Sequence, residues 1–381
     1  MASAAFPFID VRIDTAGLAP IATRSPGVVA VVGVSDKGTA PVGVPQVVSS
    51  NTEAAELFAG VNPDGTVVDT PLSSSLALVF AQDPRPSKVY GVKVGADGHA
   101  AGLAALESLD DPTFVALAGV TAIGSATGGL VALKDHVHRA SADGRHRIGV
   151  AMVDPARART PDYVDLVVDD YEPLKSDSGR MVLVAARGAV GDVASAAMGA
   201  MAGHAPHISI LLKRIRGITI PIEQQFTASE IVRLSEANID PILDPTLIPG
   251  TGLHFGDGRT FTSDESLLYV DIRRTLDDLN ARLKAGLIGL VGDARITKSG
   301  MIRLKMRIEG VLDPLLRDGV IAGYAIDVPV LAILSVPESA WSAGDRAIVE
   351  TARANRAVDA FVSVTYGPAV HRLQVTLAMR F

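Results

Sequence analysis

Six residues, Val28-Val29-Ala30-Val31-Val32-Gly33, run without a polar side chain between the turn Ser25-Pro26-Gly27 and the loop at Lys37-Gly38. A strand that is apolar at every position has no face to give to water, so it reads as buried on both sides. Phe114 to Leu117, Ile148 to Val153 and Met181 to Ala185 repeat the pattern. Helical stretches separate them, Leu130 to Ala140 and Pro161 to Tyr171, with Pro161 near a first turn. This βαβαβ order implies a parallel sheet with right-handed crossovers, and hence a mixed α/β fold.

The flanking segments read as follows. Ser50-x-x-Glu53 and Thr227-x-x-Glu230 are capping boxes opening helices to about Phe58 and Ala237. Leu72 to Phe80 is a helix ended by Pro84 and Pro86, and Lys88 to Val94 is a strand. Asp264-Glu265 opens the longest helix, which runs to about Gly286, and Leu304 to Asp318 is another, closed by Gly319. Tyr324 to Ile333 and Val358 to Tyr366 are strands.

Composition narrows the function classes. With 48% hydrophobic and 20% charged residues over 381 positions, the chain is ordered and long enough for two or three domains. Aromatics are 4%, so the apolar content suits strands and close helix packing more than an aromatic ligand pocket. A net charge of −7 gives no electrostatic reason to coat DNA or anionic lipid. The absence of cysteine removes disulfides and thiolate chemistry, and suits a reducing cytoplasm. The first residues lack the basic and apolar regions of a signal peptide. Thr113 to Leu133 is uncharged but rich in Gly and Thr, so it reads as strand, turn and helix start and not as a membrane span.

Both chain ends look like strands. Ile9, Val11 and Ile13 alternate with charged residues, then Gly17 and Pro20 break the pattern. Leu373, Val375, Leu377, Met379 and Phe381 alternate with Gln374, Thr376, Ala378 and Arg380. Burying five such side chains contributes roughly 1.5–3 kcal/mol each. Ordering nine residues costs roughly 1–2 kcal/mol apiece. The sums nearly cancel, so the terminal strand is stable only if its backbone pairs with a sheet edge. Pairing within its own chain is the common case, and donation to a neighbouring subunit is the alternative.

The segment Pro26 to Gly33, then Asp36-Lys37-Gly38, Pro45 and Ser50 to Gly60, resembles the N-terminal signature of phage tail-sheath proteins, with Ala59 inserted before Gly60. Phe255, Gly256-Asp257-Gly258-Arg259-Thr260, Tyr269 to Arg274, and Gly319-x-x-x-Gly323-Tyr324 resemble that family's C-terminal half. The likeness covers residues 26–95 and 205–375, while 100–205 matches in layout alone. It implies a structural subunit and no enzyme, with no cofactor, stacked as hexameric rings around an inner tail tube. Contraction would drive that tube through a target envelope. The implied partners are further copies of the chain, the inner-tube protein, and baseplate and tail-terminator proteins, with no nucleic acid and no membrane insertion. The implied place is a virion tail or contractile particle assembled in the bacterial host cytoplasm.

The resemblance divides the chain into an arm (1–22), a discontinuous core (23–100 plus 205–370), an inserted βαβαβ domain (101–204) and an exchange strand (371–381). It makes Ile9, Val11, Ile13, Leu373, Val375, Leu377, Met379 and Phe381 the intersubunit strand residues, with Gly17, Pro20, Gly367 and Pro368 as hinges. Arg273 and Arg274 become candidates for tube contact.

Candidate chemistry is sparse. Gly250-Thr251-Gly252 with Gly256 and Gly258 resembles a phosphate loop, but the spacing and context differ and no Walker lysine follows. His136 and His138 lie two apart on a helix, so they face apart and suit solvent or a cap. Asp169-Asp170 and Asp277-Asp278 read as solvated helix faces, and Lys213, Arg214 and Arg216 as a packing or salt-bridge patch. The alternatives are an α/β enzyme with a ligand at the strand ends of 100–205, and a sheath component of a type VI secretion system, which needs a second sheath-like chain.

Overall fold

The computed structural model describes residues 27–62, 64, 66–96, 98–124, 128–249 and 252–371. These fall into a larger unit, residues 27–279 with 367–371, and a smaller one, residues 280–366. The arm residues Ile9, Val11, Ile13, Gly17 and Pro20, and the strand residues Leu373, Val375, Leu377, Met379 and Phe381, lie outside the described residues.

The larger unit is built on one nine-stranded sheet. Its middle is parallel: β5 (Lys88–Val94), β1 (Val28–Val34), β6 (Phe114–Leu117), β7 (Ile148–Met152), β8 (Met181–Ala185) and β10 (Asp240–Leu243), in that spatial order. A separate pair, β3 (Gly60–Val61) and β4 (Val67–Val68), lies outside this sheet, and antiparallel strands finish each side of it. β2 (Gln46–Val48) pairs with β5, while β11 (Leu253–Phe255) pairs with β10 and β9 (Arg214–Ile215) with β11. In chain order the parallel strands run 2-1-3-4-5-6, a doubly wound arrangement.

β1 shows why the sheet forms. It bonds β5 on one side, with Val31 opposite Gly91, and β6 on the other, with Val31 opposite Ala116. Val29 and Val31 enter one core, and Val28, Ala30 and Val32 enter the other. The first core is roofed by α1 (Asn51–Phe58), α2 (Pro71–Phe80) and α6 (Val193–Gly203). The second is roofed by α3 (His99–Ala105), α4 (Leu130–Ala142), α5 (Tyr163–Tyr171) and α7 (Ala228–Glu236). Gly91 is required by packing, because a Cβ there would lie 2.6 Å from the Phe58 ring.

Local signals hold at most helix starts. Thr227 and Glu230 form the reciprocal capping box, and Thr70 caps α2 with Pro71 in its first turn. At α1, Ser50 accepts from the Glu53 N–H, but Glu53 turns back to the N–H of Ser49 at 2.8 Å.

The 101–204 segment keeps its βαβαβ order, and its strands β6, β7 and β8 lie in the common sheet, where β6 completes the second edge of β1. Several expectations about single elements are corrected. Asp264 caps only a short 3-10 turn, and α8 (Val270–Leu287) follows it. The longest described helix is α9 (Lys298–Arg317), started by the Thr297 cap rather than at Leu304. Of the expected 324–333 strand only 324–327 is extended, as the end of β12 (Ile321–Asp327), because Pro329 starts helix α10 (Pro329–Leu334). A further helix, α11 (Ala343–Asn355), is opened by a Ser342–Asp345 capping box. It precedes β13 (Phe361–Tyr366).

The smaller unit thus holds the end of α8, then α9, β12, α10, α11 and β13, with a core around Met301, Val328, Val330 and Ala352.

Candidate assembly interface

The two units differ at their sheet edges. The nine-stranded sheet ends in β2, three residues long and preceded by Pro41 and Pro45, and in β9, two residues long. Such edges are too short to template another strand. The smaller unit has an antiparallel ribbon, β12 against β13, registered from Ile321 opposite Tyr366 to Asp327 opposite Phe361. Among the described residues neither strand pairs with a third. Each outer edge carries six or seven residues of backbone. Phe361, Ser363 and Thr365 are exposed, while Val362, Val364 and Tyr366 are half-buried. A two-stranded ribbon is marginal by itself and this one leans on α9. Unpaired with a third strand among the described residues, it suits an added strand.

The chain leaves β13 through Gly367 to Val370, which are exposed and irregular and include the expected hinges Gly367 and Pro368. His371, assigned from sequence to the exchange strand, is seated on the larger unit. Its Nε2 lies 2.9 Å from Ser209 Oγ, and its ring meets Tyr269 edge-on with centroids 4.6 Å apart.

The Gly-rich loop wraps a carboxyl, and that carboxyl is the protein's own. The buried Asp240 carboxylate accepts from the N–H groups of Gly256 (3.1 Å), Asp257 (2.9 Å) and Gly258 (2.9 Å). Gly258 has φ +81°, where a side chain would be strained. Burial pushes the Asp240 carboxyl up, to about 7, and the three N–H donors pull the other way by favouring the carboxylate. Arg259 then donates to Ser235 O (2.7 Å) and Asn238 Oδ1 (3.1 Å), and Thr260 donates to Leu267 O (2.6 Å). The Gly-x-Arg-Thr loop therefore fixes the approach to α8. Gly250 and Thr251 lie outside the described residues.

The tube-contact candidates are committed elsewhere. Arg274 is 4% exposed, donates to His204 O (2.7 Å), and lies over the Phe114 ring at 5.2 Å. Arg273 donates to Asp277 at 2.7 Å, and Arg180 reaches the same carboxylate at 2.9 Å. Asp277 is thus a half-buried ion-pair centre and not a solvated face. Asp169 and Asp170 are exposed, as expected.

His136 is fully buried and not solvent-facing, with Nε2 2.7 Å from Arg147 Nη1. Burial first, and then the Arg147 charge, push it down to about 4. His138 faces Ser178 Oγ at 2.9 Å, away from His136. In the basic patch, Arg216 pairs with Asp83 at 2.9 Å.

Sequence reading missed Arg187, whose Nη1 meets Glu230 at 2.6 Å while its guanidinium lies 4.7 Å from the Tyr163 ring centroid and 4.9 Å from that of Phe226. Burial pushes the Glu230 carboxyl up, but bonds from Arg187 and Thr227 outweigh it and take it down to about 2. At the β1–β6 switch point, where a doubly wound sheet would take a ligand, the Gly119 N–H donates to Asp192 at 3.0 Å. Ser75 and Ser195 donate to the same oxygen at 2.6 Å. Among the described residues no three His, Asp or Glu side chains converge as metal ligands, and no helix is long and apolar enough to cross a membrane.

The whole arrangement is the contractile tail-sheath fold. One matching chain is from the helical sheath of the anti-feeding prophage in its contracted state, with TM-score 0.65 and 15% identity, covering 98% of this chain and 99% of that one. Another is from the contracted sheath complex of PVC, an extracellular contractile injection system, with TM-score 0.67 and 13% identity, covering 99% and 98%. The sheath tail protein of Desulfitobacterium hafniense matches with TM-score 0.58 and 11% identity over 85% of this chain and 93% of its own. No family model and no curated protein matches.

Proposed function

We propose that this chain is a contractile-sheath subunit, a structural polymer and not an enzyme. The observation that carries the reading is a fold shared end to end with sheath chains, joined to a ribbon that pairs with no third strand among the described residues. The subunits stack as hexameric rings around an inner tail tube and meet baseplate and tail-terminator proteins at the ends. The N-terminal strand (Ile9, Val11, Ile13) and C-terminal strand (Leu373 to Phe381) add to ribbons of neighbouring subunits. Gly17, Pro20, Gly367 and Pro368 bend while the added strands stay paired, so bodies rotate and slide during contraction without separating. The place of action is a tail or contractile particle, assembled in the bacterial cytoplasm.

Likeness to single sheath chains over almost their whole length favours self-assembly over a two-chain sheath of the type VI kind. The enzyme alternative is disfavoured by a switch point whose backbone donor is taken by Asp192. Negative-stain imaging of the purified chain, with and without its inner-tube protein, should show tubes. Deleting residues 373–381 should leave a folded subunit that forms none. A small closed oligomer in gel filtration that never forms tubes contradicts the proposal.

A further inference from the structure

The geometry points to His371 as the anchor that fixes, on the subunit's own body, where the C-terminal strand sets off toward a neighbour. This rests on the strand-exchange reading above and adds a positioning residue to it.

The seat has three parts. Ser209 Oγ lies 2.9 Å from His371 Nε2 and accepts the Leu211 N–H at 3.2 Å, so its own position is fixed by the turn after it. Tyr269 presents its ring to the imidazole at an interplanar angle of 80°. Tyr269 is in turn held by a backbone bridge to Arg259, whose guanidinium lies 5.9 Å from the ring centroid. Arg259 is tied to Ser235 and Asn238. The root of the strand is thus docked, through one aromatic ring, to the same loop that wraps Asp240.

The surrounding chain makes the seat conspicuous. Gly367 to Val370 are all exposed, Val370 at 79%, and none belongs to a helix or strand. Without the seat, the free tether would run from Tyr366 onward. Four more extended residues would let the start of the strand wander by roughly 13–14 Å. Effective concentration for a given neighbouring edge falls as a tether lengthens past its span. An anchored root therefore raises the rate of pairing with the correct edge and disfavours edges at other distances. One hydrogen bond and one ring pair together bias occupancy of the seat by roughly tenfold or more.

The test measures the critical concentration for tube formation of the full-length chain, by sedimentation with electron microscopy, alongside thermal melting. His371→Ala is expected to raise that concentration about tenfold with melting unchanged. Ser209→Ala, which removes the hydrogen bond, and His371→Phe, which keeps the ring contact, should each raise it less. The Ser209→Ala/His371→Ala double variant should be no worse than His371→Ala. If His371→Ala assembles like the parent while deletion of 373–381 does not assemble, the anchor is wrong and strand exchange stands. If the deletion variant assembles normally, the exchange reading itself fails. If His371→Ala does not fold, unchanged assembly by both Ser209→Ala and His371→Phe overturns the anchor.

Discussion

The nine-stranded sheet and the two-stranded ribbon solve the same problem in opposite ways. In the sheet, β1 is bonded on both edges and buried on both faces, and the outermost strands are cut to two or three residues. In the ribbon, seven and six residues pair with each other and with no third strand among the described residues, on alternating half-buried side chains. One region is finished within the chain. The other, on the proposed function, is finished by strands of neighbouring subunits. Damage to the first should therefore cost folding, and damage to the second should cost assembly.

The largest expected effect is in the sheet. Phe114 is fully buried and also carries the Arg274 guanidinium. Phe114→Ala should destabilise the larger unit by about 3–5 kcal/mol, read by denaturant unfolding. A loss under about 1 kcal/mol would mean the sheet is looser than described.

Acid should come next. His136 is pushed down to about 4 from an ordinary 6.5, so the folded state binds fewer protons than the unfolded chain between those values. Its contribution is fully present above pH 6.5 and is lost as pH falls through 4. The loss is about 3 kcal/mol. His136→Gln, which keeps an acceptor for Arg147, should flatten that part of the stability–pH curve; an unchanged slope would assign the acid sensitivity to other groups.

Asp240→Asn should cost about 2–3 kcal/mol, because an amide places its NH2 against at least one of three N–H donors. Unchanged thermal melting would show that the loop does not depend on the carboxylate. The smallest effect on stability belongs to the ribbon. Ser363→Pro removes one backbone donor from an exposed strand position. The larger unit should unfold within about 0.5 kcal/mol of the parent, while tube yield in electron micrographs falls sharply. Normal tubes from this variant would break the contrast between the two regions.

The same contrast explains what the sequence made legible. Strands such as 114–117 and 181–185 stand out because a position buried on both faces admits only apolar residues. The run Pro329-Val330-Leu331-Ala332-Ile333 is as apolar, but no period separates strand from helix over five residues. Pro329 is the arbiter, since it suits a first helical turn. α6 is hidden for a related reason: Val193 to Ala202 are all buried, so no polar face marks its period. α11 was marked only by Ser342 and Asp345, a weaker box than one closed by Glu. At the candidate interface, Asp240 could not be found, because its partners are backbone groups 16 to 18 residues away. The same limit hid the burial of Arg274 and His136. Spacing on a helix says which residues share a face, and not what that face meets.

Amide hydrogen exchange across β12 and β13, measured in the dilute subunit and again in tubes, tests most directly whether the ribbon is completed from outside. The account predicts that the β1, β6 and β7 amides are protected in both samples, and that the outward amides of the ribbon become protected only in tubes. Equal protection of those outward amides in the dilute subunit would contradict it.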